Sequence, residues 1–176
     1  FAARPAITTG DFWTIADMGS ATAEPGEPAA GAGADKPSLW YAFTPAVDGT
    51  LEFGGSPHRQ FLVPYLYPPT VFRGDALEAL EAVPSQDNFT LFVLKAGVTY
   101  QVRLQDAFPG QTGSIWVHFR FVPAPTNDAF AGRTTLTGDH LVVPVSLEGA
   151  TVETGEPLLT AGAFAPVRTR WWSWRP

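Results

Sequence analysis

The chain has 176 residues, enough for one well-filled core with some surplus. A net charge of −6 argues against nucleic acid or an anionic membrane surface as partner, and zero cysteines exclude disulfides, thiolate metal sites and cysteine nucleophiles. Apolar residues at 45%, charged residues at 16%, and 17 Gly with 17 Pro describe a globular chain of short strands and frequent turns.

In chain order, the polar, Pro-containing residues Phe1 to Gly10 read as an edge strand, and Phe12 to Met18 as a strand stopped by Gly19. A Gly-rich surface loop spans Ala29 to Asp35. Ser38 to Thr44 alternates, with Leu39, Tyr41 and Phe43 on one face and Trp40 and Ala42 on the other, until Pro45 ends it. Asp48-Gly49 is a turn before a short strand, Thr50 to Phe53, with Leu51 and Phe53 inward. Phe61 to Tyr67, broken by Pro64, fits an edge or bulged strand, and Asp75 to Val83 an irregular or extended segment. Phe89 to Lys95 is apolar on both faces and is expected to be central. Thr99 to Gln105 puts Tyr100, Val102 and Leu104 inward against Gln101, Arg103 and Gln105. Ser114 to Val122 sets Ile115, Val117, Phe119 and Phe121 against Trp116, His118 and Arg120. Short alternating strands between regular turns predict an all-β fold, an antiparallel β-sandwich of jelly-roll-like type.

One stretch occurs twice. Ala21-Thr22-Ala23-Glu24-Pro25-Gly26-Glu27-Pro28 returns as Ala150-Thr151-Val152-Glu153-Thr154-Gly155-Glu156-Pro157, giving A-T-x-E-x-G-E-P in both. Upstream, Phe1-Ala2-Ala3-Arg4 answers Phe130-Ala131-Gly132-Arg133, and Thr9-Gly10-Asp11 answers Thr137-Gly138-Asp139. Downstream, Leu39-Trp40-Tyr41-Ala42-Phe43-Thr44-Pro45 answers Arg170-Trp171-Trp172-Ser173-Trp174-Arg175-Pro176. A separation this long means tandem domains, since solenoid repeats recur at roughly 20–50 residues. The expected organisation is a complete repeat over 1–123, a linker over 124–129 that packs against nothing, and the opening part of a second repeat over 130–176. The start on Phe1, without an initiator Met or a leader, reads as an internal or processed segment of a longer polypeptide.

The order of these features resembles the bacterial pre-peptidase C-terminal domain and its relatives in large secreted proteins. The residues that carry the likeness are Asn127-Asp128-Ala129-Phe130 at a repeat start, A-T-x-E-x-G-E-P, and Ser38-Leu39-Trp40-Tyr41-Ala42-Phe43-Thr44-Pro45 leading to Gly49. Phe72-Arg73-Gly74-Asp75-Ala76-Leu77 and Leu94-Lys95-Ala96-Gly97-Val98-Thr99-Tyr100 continue it. The resemblance implies an extracellular or cell-surface accessory module rather than a catalytic one, and some such relatives bind calcium, collagen-like or carbohydrate ligands. Where many relatives carry an Asp-Asp pair, this chain has Ser85-Gln86-Asp87-Asn88, so the carboxylates for a family calcium site are fewer.

Glu24 and Glu27, with their copies Glu153 and Glu156, are the calcium candidates, against the plainer expectation that each carboxylate fixes its loop by accepting amide hydrogen bonds. No other cofactor is expected. The three histidines, His58, His118 and His140, lack zinc spacing, and His118 should be a solvated imidazole. Gly54-Gly55-Ser56-Pro57-His58 has no nucleophile elbow, and Asn88-Phe89-Thr90 fits a glycosylation sequon without further support. Loop carboxylates three positions apart do not suit glycoside hydrolysis. Trp40 and Trp171 are expected in a core.

Trp171, Trp172 and Trp174, with Val142, Val143 and Val145, belong to a unit too short to cover its own apolar face, and are therefore the expected assembly interface. The functional expectation is a non-catalytic structural module that pairs strands with other copies, head-to-tail, into a filament, sheath or surface layer. The alternative is an accessory domain binding carbohydrate or protein for a secreted enzyme. No apolar run approaches the roughly 20 residues of a membrane-spanning helix, so membrane insertion is not expected.

Overall fold

The computed structural model describes residues 1–29, 36–55, 68–86, 90–105, 114–157 and 168–176. Within them the strands are β1 (Ala6–Ile7), β2 (Asp11–Asp17), β3 (Ser38–Phe43), β4 (Gly49–Gly55), β5 (Thr70–Arg73), β6 (Glu81–Val83), β7 (Leu91–Leu94), β8 (Tyr100–Gln105), β9 (Ser114–Pro123), β10 (Thr134–Thr137) and β11 (Trp172–Arg175). The predicted strand over Phe61 to Tyr67 lies outside the described residues.

Alternation along β8 and β9 decides the layering. Each is flanked on both sides, in the orders β1-β3-β8-β5-β6 and β2-β9-β4-β7. The apolar set of the first sheet (Tyr41, Phe43, Val71, Tyr100, Val102, Leu104) packs against that of the second (Leu51, Phe53, Phe92, Leu94, Val117, Phe119). Rings lock the layers together, with Tyr41 to Phe119 centroids at 5.2 Å and Phe43 to Phe121 at 5.3 Å. Full burial of each such side chain stabilises by roughly 1.5–3 kcal/mol. The result is an all-β sandwich.

The sandwich departs from the expected details at four points. The sandwich is not wholly antiparallel, because β1 runs parallel to β3 with Ala6 opposite Ala42 and Ile7 opposite Phe43. Between them the chain crosses to the second sheet as β2 and returns, the long connection that a parallel pair needs. Next, β7 is an edge strand rather than a central one. Its apolar character is satisfied by cover along that edge, where Ser85 bridges to Phe92 and the Gln86 N–H donates to the Leu91 carbonyl.

Third, the polar face of β8 is buried: Gln101, Arg103 and Gln105 are each 2% exposed or less. Trp40 lies on this same outer face, not between the sheets. The N-terminal segment and the first A-T-x-E-x-G-E-P loop cover it, with Phe1 meeting Trp40 edge-on at 5.1 Å and Arg103 donating to the Pro28 carbonyl at 2.7 Å. Fourth, the stretch expected to pack against nothing contains Asn127, which is 1% exposed.

Candidate assembly site

The loop of the first unit is built from its two glutamates. Glu24 Oε1 accepts from the Phe1 nitrogen, and Glu27 Oε1 accepts from the Glu24 N–H at 3.0 Å and from Ser38 Oγ at 2.7 Å. A turn N–H from Glu27 to the Glu24 carbonyl closes the loop, with Gly26 at φ 90°. A side chain at that left-handed conformation is strained, which is why glycine stands there.

The second unit repeats this atom for atom. Glu153 Oε2 accepts from the Phe130 N–H at 2.6 Å, and Glu156 Oε1 from the Glu153 N–H at 2.7 Å and Thr169 Oγ1 at 2.8 Å. Gly155 also has φ 90°. Phe130 meets Trp171 edge-on at 5.0 Å, as Phe1 meets Trp40. Arg4 lies over the Phe1 ring and Arg133 over the Phe130 ring. β10 runs parallel to β11 with Leu136 opposite Trp174, the register in which Ile7 faces Phe43. All four calcium candidates thus receive main-chain N–H donors, through which they hold the loops.

Beyond this half the copy stops. β3 is paired on its other edge by β8, whereas β11 has β10 alone beside it among the described residues. In the first unit, β2 lies on β9 and turns its apolar face into the core. Its counterpart, residues 140–147, lies in no strand, and Val142 is 87% exposed, Val143 38% and Val145 56%. Trp174 is 58% exposed, although its counterpart Phe43 is buried. Trp171 and Trp172 are half-buried. The structure therefore places all six predicted interface residues in the second unit, with Trp174 and the three valines exposed. Sequence comparison alone left one substitution unremarked. Arg170 replaces Leu39, lies over the Trp172 ring, and donates to Asn127 Oδ1 at 2.7 Å and the Ser146 carbonyl at 2.8 Å.

The two units meet at a defined junction. Asn127 Nδ2 donates to the Trp171 carbonyl and Asp128 accepts from both the N–H and the hydroxyl of Thr151. A charge relay runs across: Arg168 to Glu52 at 2.6 Å, Glu52 to Arg120 at 3.3 Å, Arg120 to Glu148 at 3.3 Å. Gly149, at φ 71°, comes so close to the first unit that a Cβ would sit 2.3 Å from the Pro123 carbonyl oxygen.

A second surface was not anticipated. On the outer face of β2 and β9, Trp13 pairs with His118 and Ile15 with Trp116. The indole of Trp13 stacks on the His118 ring at 4.1 Å with 4° between planes, and Nε2 of His118 lies 2.7 Å from Asp11 Oδ1. His118 is thus a stacked, paired ring rather than a solvated one. The signal was the odd-numbered alternation of β2, which turns Trp13 and Ile15 to the same outward face. His58 and the sequon at Asn88 lie outside the described residues. Among the described residues no three His, Asp or Glu side chains gather, and no helix is long and apolar enough to cross a membrane. In comparison with known proteins, no family model, no curated sequence and no solved structure matches the chain.

Proposed function

We propose that this chain is a non-catalytic structural module whose second unit is finished by β-strand complementation from a neighbouring copy of the same protein. Repeated head-to-tail, that contact builds a filament, sheath or surface layer. One observation carries the reading: the second unit reproduces the loop of the first, yet among the described residues β11 is paired on one edge only and Val142, Val143 and Val145 are exposed. An uncovered strand edge beside an apolar segment is a template for pairing with another chain. The likeness to the pre-peptidase C-terminal domain supports an extracellular or cell-surface setting and a non-enzymatic role. Sedimentation velocity tests the assembly. Residues 1–176 are expected to self-associate in the micromolar range, and Val142→Lys with Val145→Lys to weaken it. A monodisperse monomer at about 100 µM refutes intermolecular pairing.

A second reading rests on the Trp13, Ile15, Trp116 and His118 face. An exposed aromatic surface beside Asp11 suits a polysaccharide, whose sugar rings stack on indoles while the carboxylate bonds hydroxyls. Calorimetric titration with polysaccharides of varied linkage tests it. Loss of the heat signal in Trp13→Ala supports this reading, and no heat with any of them removes it.

A further inference from the structure

The finished unit identifies what the unfinished one is built to receive. On the outward face of β8, two polar side chains stand two positions apart. Gln101 Oε1 accepts from Arg4 Nε at 2.6 Å. Arg103 places Nη1 3.6 Å from Glu27 Oε2, with its guanidinium 5.5 Å from the centre of the Trp40 ring. Arg4, Glu27 and Trp40, the groups that receive β8, all have copies in the second unit: Arg133, Glu156 and Trp171.

Those copies are already in receiving geometry. Glu156 is held through Oε1 by Glu153 and Thr169, as Glu27 is held by Glu24 and Ser38. Arg133 donates Nη1 to the Phe130 carbonyl at 3.0 Å, as Arg4 does to Phe1. What differs is the incoming partner. Among the described residues, no cation lies within ion-pair distance of Glu156, and no side chain takes the place of Gln101 at Arg133.

We infer that β11 is a receptor for one antiparallel strand of defined chemistry. That strand carries a hydrogen-bond acceptor opposite Ser173 and, two residues on, an arginine opposite Trp171 that pairs with Glu156. The register follows from β3 and β8, where Ala42 faces Gln101 and Trp40 faces Arg103. An apolar residue between the two polar ones faces Trp172, as Val102 faces Tyr41. The β8 strand of a second folded copy is not the donor, since β3 and β5 occupy both its edges. The strand therefore comes from a segment of a neighbouring copy other than its β8. This inference rests on strand complementation as the function, and it adds the specificity.

The test is a titration of the 176-residue chain with a synthetic peptide of the sequence of residues 98–105, followed by calorimetry and tryptophan fluorescence. The same peptide carrying Arg103→Met is the comparison. Saturable binding of the parent peptide is expected, about tenfold or more weaker for the Met peptide. In the Glu156→Gln chain the parent peptide should lose the same factor, while the Met peptide binds as before. Equal affinity of the two peptides overturns the arginine socket while leaving strand pairing intact; no saturable binding of either overturns both the socket and the receptor. A chain that sediments as a monomer yet discriminates the two peptides supports the socket and sinks only self-association.

Discussion

Replacing Arg103 by Met tests the covered outer face of the first sheet directly. Arg103 and Glu27 are fully buried as side chains and lie 3.6 Å apart. Burial pulls the guanidinium below its ordinary pKa, and the charge of Glu27 works the other way. Met keeps the length of the side chain and its contact with the rings of Trp40 and Phe72, so the cavity contribution is small. What is lost is the counter-charge of Glu27 and the bond to the Pro28 carbonyl. Breaking a buried pair by removing one partner costs about 3–5 kcal/mol. For a unit of this size that lowers Tm by roughly 10–20 °C. Calorimetric melts at pH 7 of Arg103→Met, Glu27→Gln and the double variant measure it. The double variant should lose clearly less than the sum of the singles, because it leaves no orphaned charge. Glu156→Gln gives the contrast. With no arginine against it among the described residues, the same substitution in the second copy is expected to cost about 1 kcal/mol, the worth of its hydrogen bonds. A cost below about 1 kcal/mol for Arg103→Met, or strict additivity in the cycle, refutes the reasoning.

Gly149→Ala should loosen the junction, since the new Cβ meets the Pro123 carbonyl oxygen at 2.3 Å, whereas Gly155→Ala meets nothing within 4 Å and bears only the left-handed cost. Limited proteolysis around 124–129 should accelerate in the first and not in the second; equal rates would count against a packed junction. Asp48 accepts from Lys95 Nζ and the Ala96 N–H, both at 2.8 Å, and the Lys95 bond holds its carboxyl below the ordinary value. Its folded pKa being lowered, the stabilisation is present above the unfolded value near 4 and lost as pH falls through the folded one. Because both partners are half-exposed and screened by solvent, Asp48→Asn should cost no more than about 0.5–1 kcal/mol at pH 7 and progressively less below about pH 4, read from urea melts at both. Because one oxygen of each of Glu24, Glu27, Glu153 and Glu156 already accepts from a main-chain nitrogen, millimolar calcium should leave Tm unchanged; a rise that Glu24→Gln abolishes would make those residues ligands.

The duplicated octapeptide was legible because its function is local. Glu24 and Glu27 bond to Phe1 and Ser38 as well as within their own loop, and those partners recur as Phe130 and Thr169, so the same bonds form at Glu153 and Glu156. Strands β8 and β9 were legible because period-two alternation is a local property too. The burial of Gln101, Arg103 and Gln105 was not, because it depends on a segment nearly a hundred residues away folding over them. Edge or centre was equally hidden for β7: apolar residues on both faces say that a strand is covered, not whether a neighbouring strand or a loop at Ser85 covers it. The buried Asn127 escaped notice for the same reason, as its partners Arg170 and Trp171 lie more than forty positions on. At the assembly site the six residues were visible as apolar surplus, while the polar receiving groups, Arg133 and Glu156, acquire meaning only beside the finished unit.

The junction at Gly149 also has a geometric consequence. With a carbonyl pressed against a side-chain-free position and two ion pairs bracing it, one unit meets the next at a set angle instead of swivelling on a tether. An array made by repeating that joint would turn by the same increment at each step and rise as a screw of constant pitch, stiff along its axis. Raising ionic strength would slacken the bracing charges before the close-packed glycine, so curvature, rather than cohesion, is what salt would alter first.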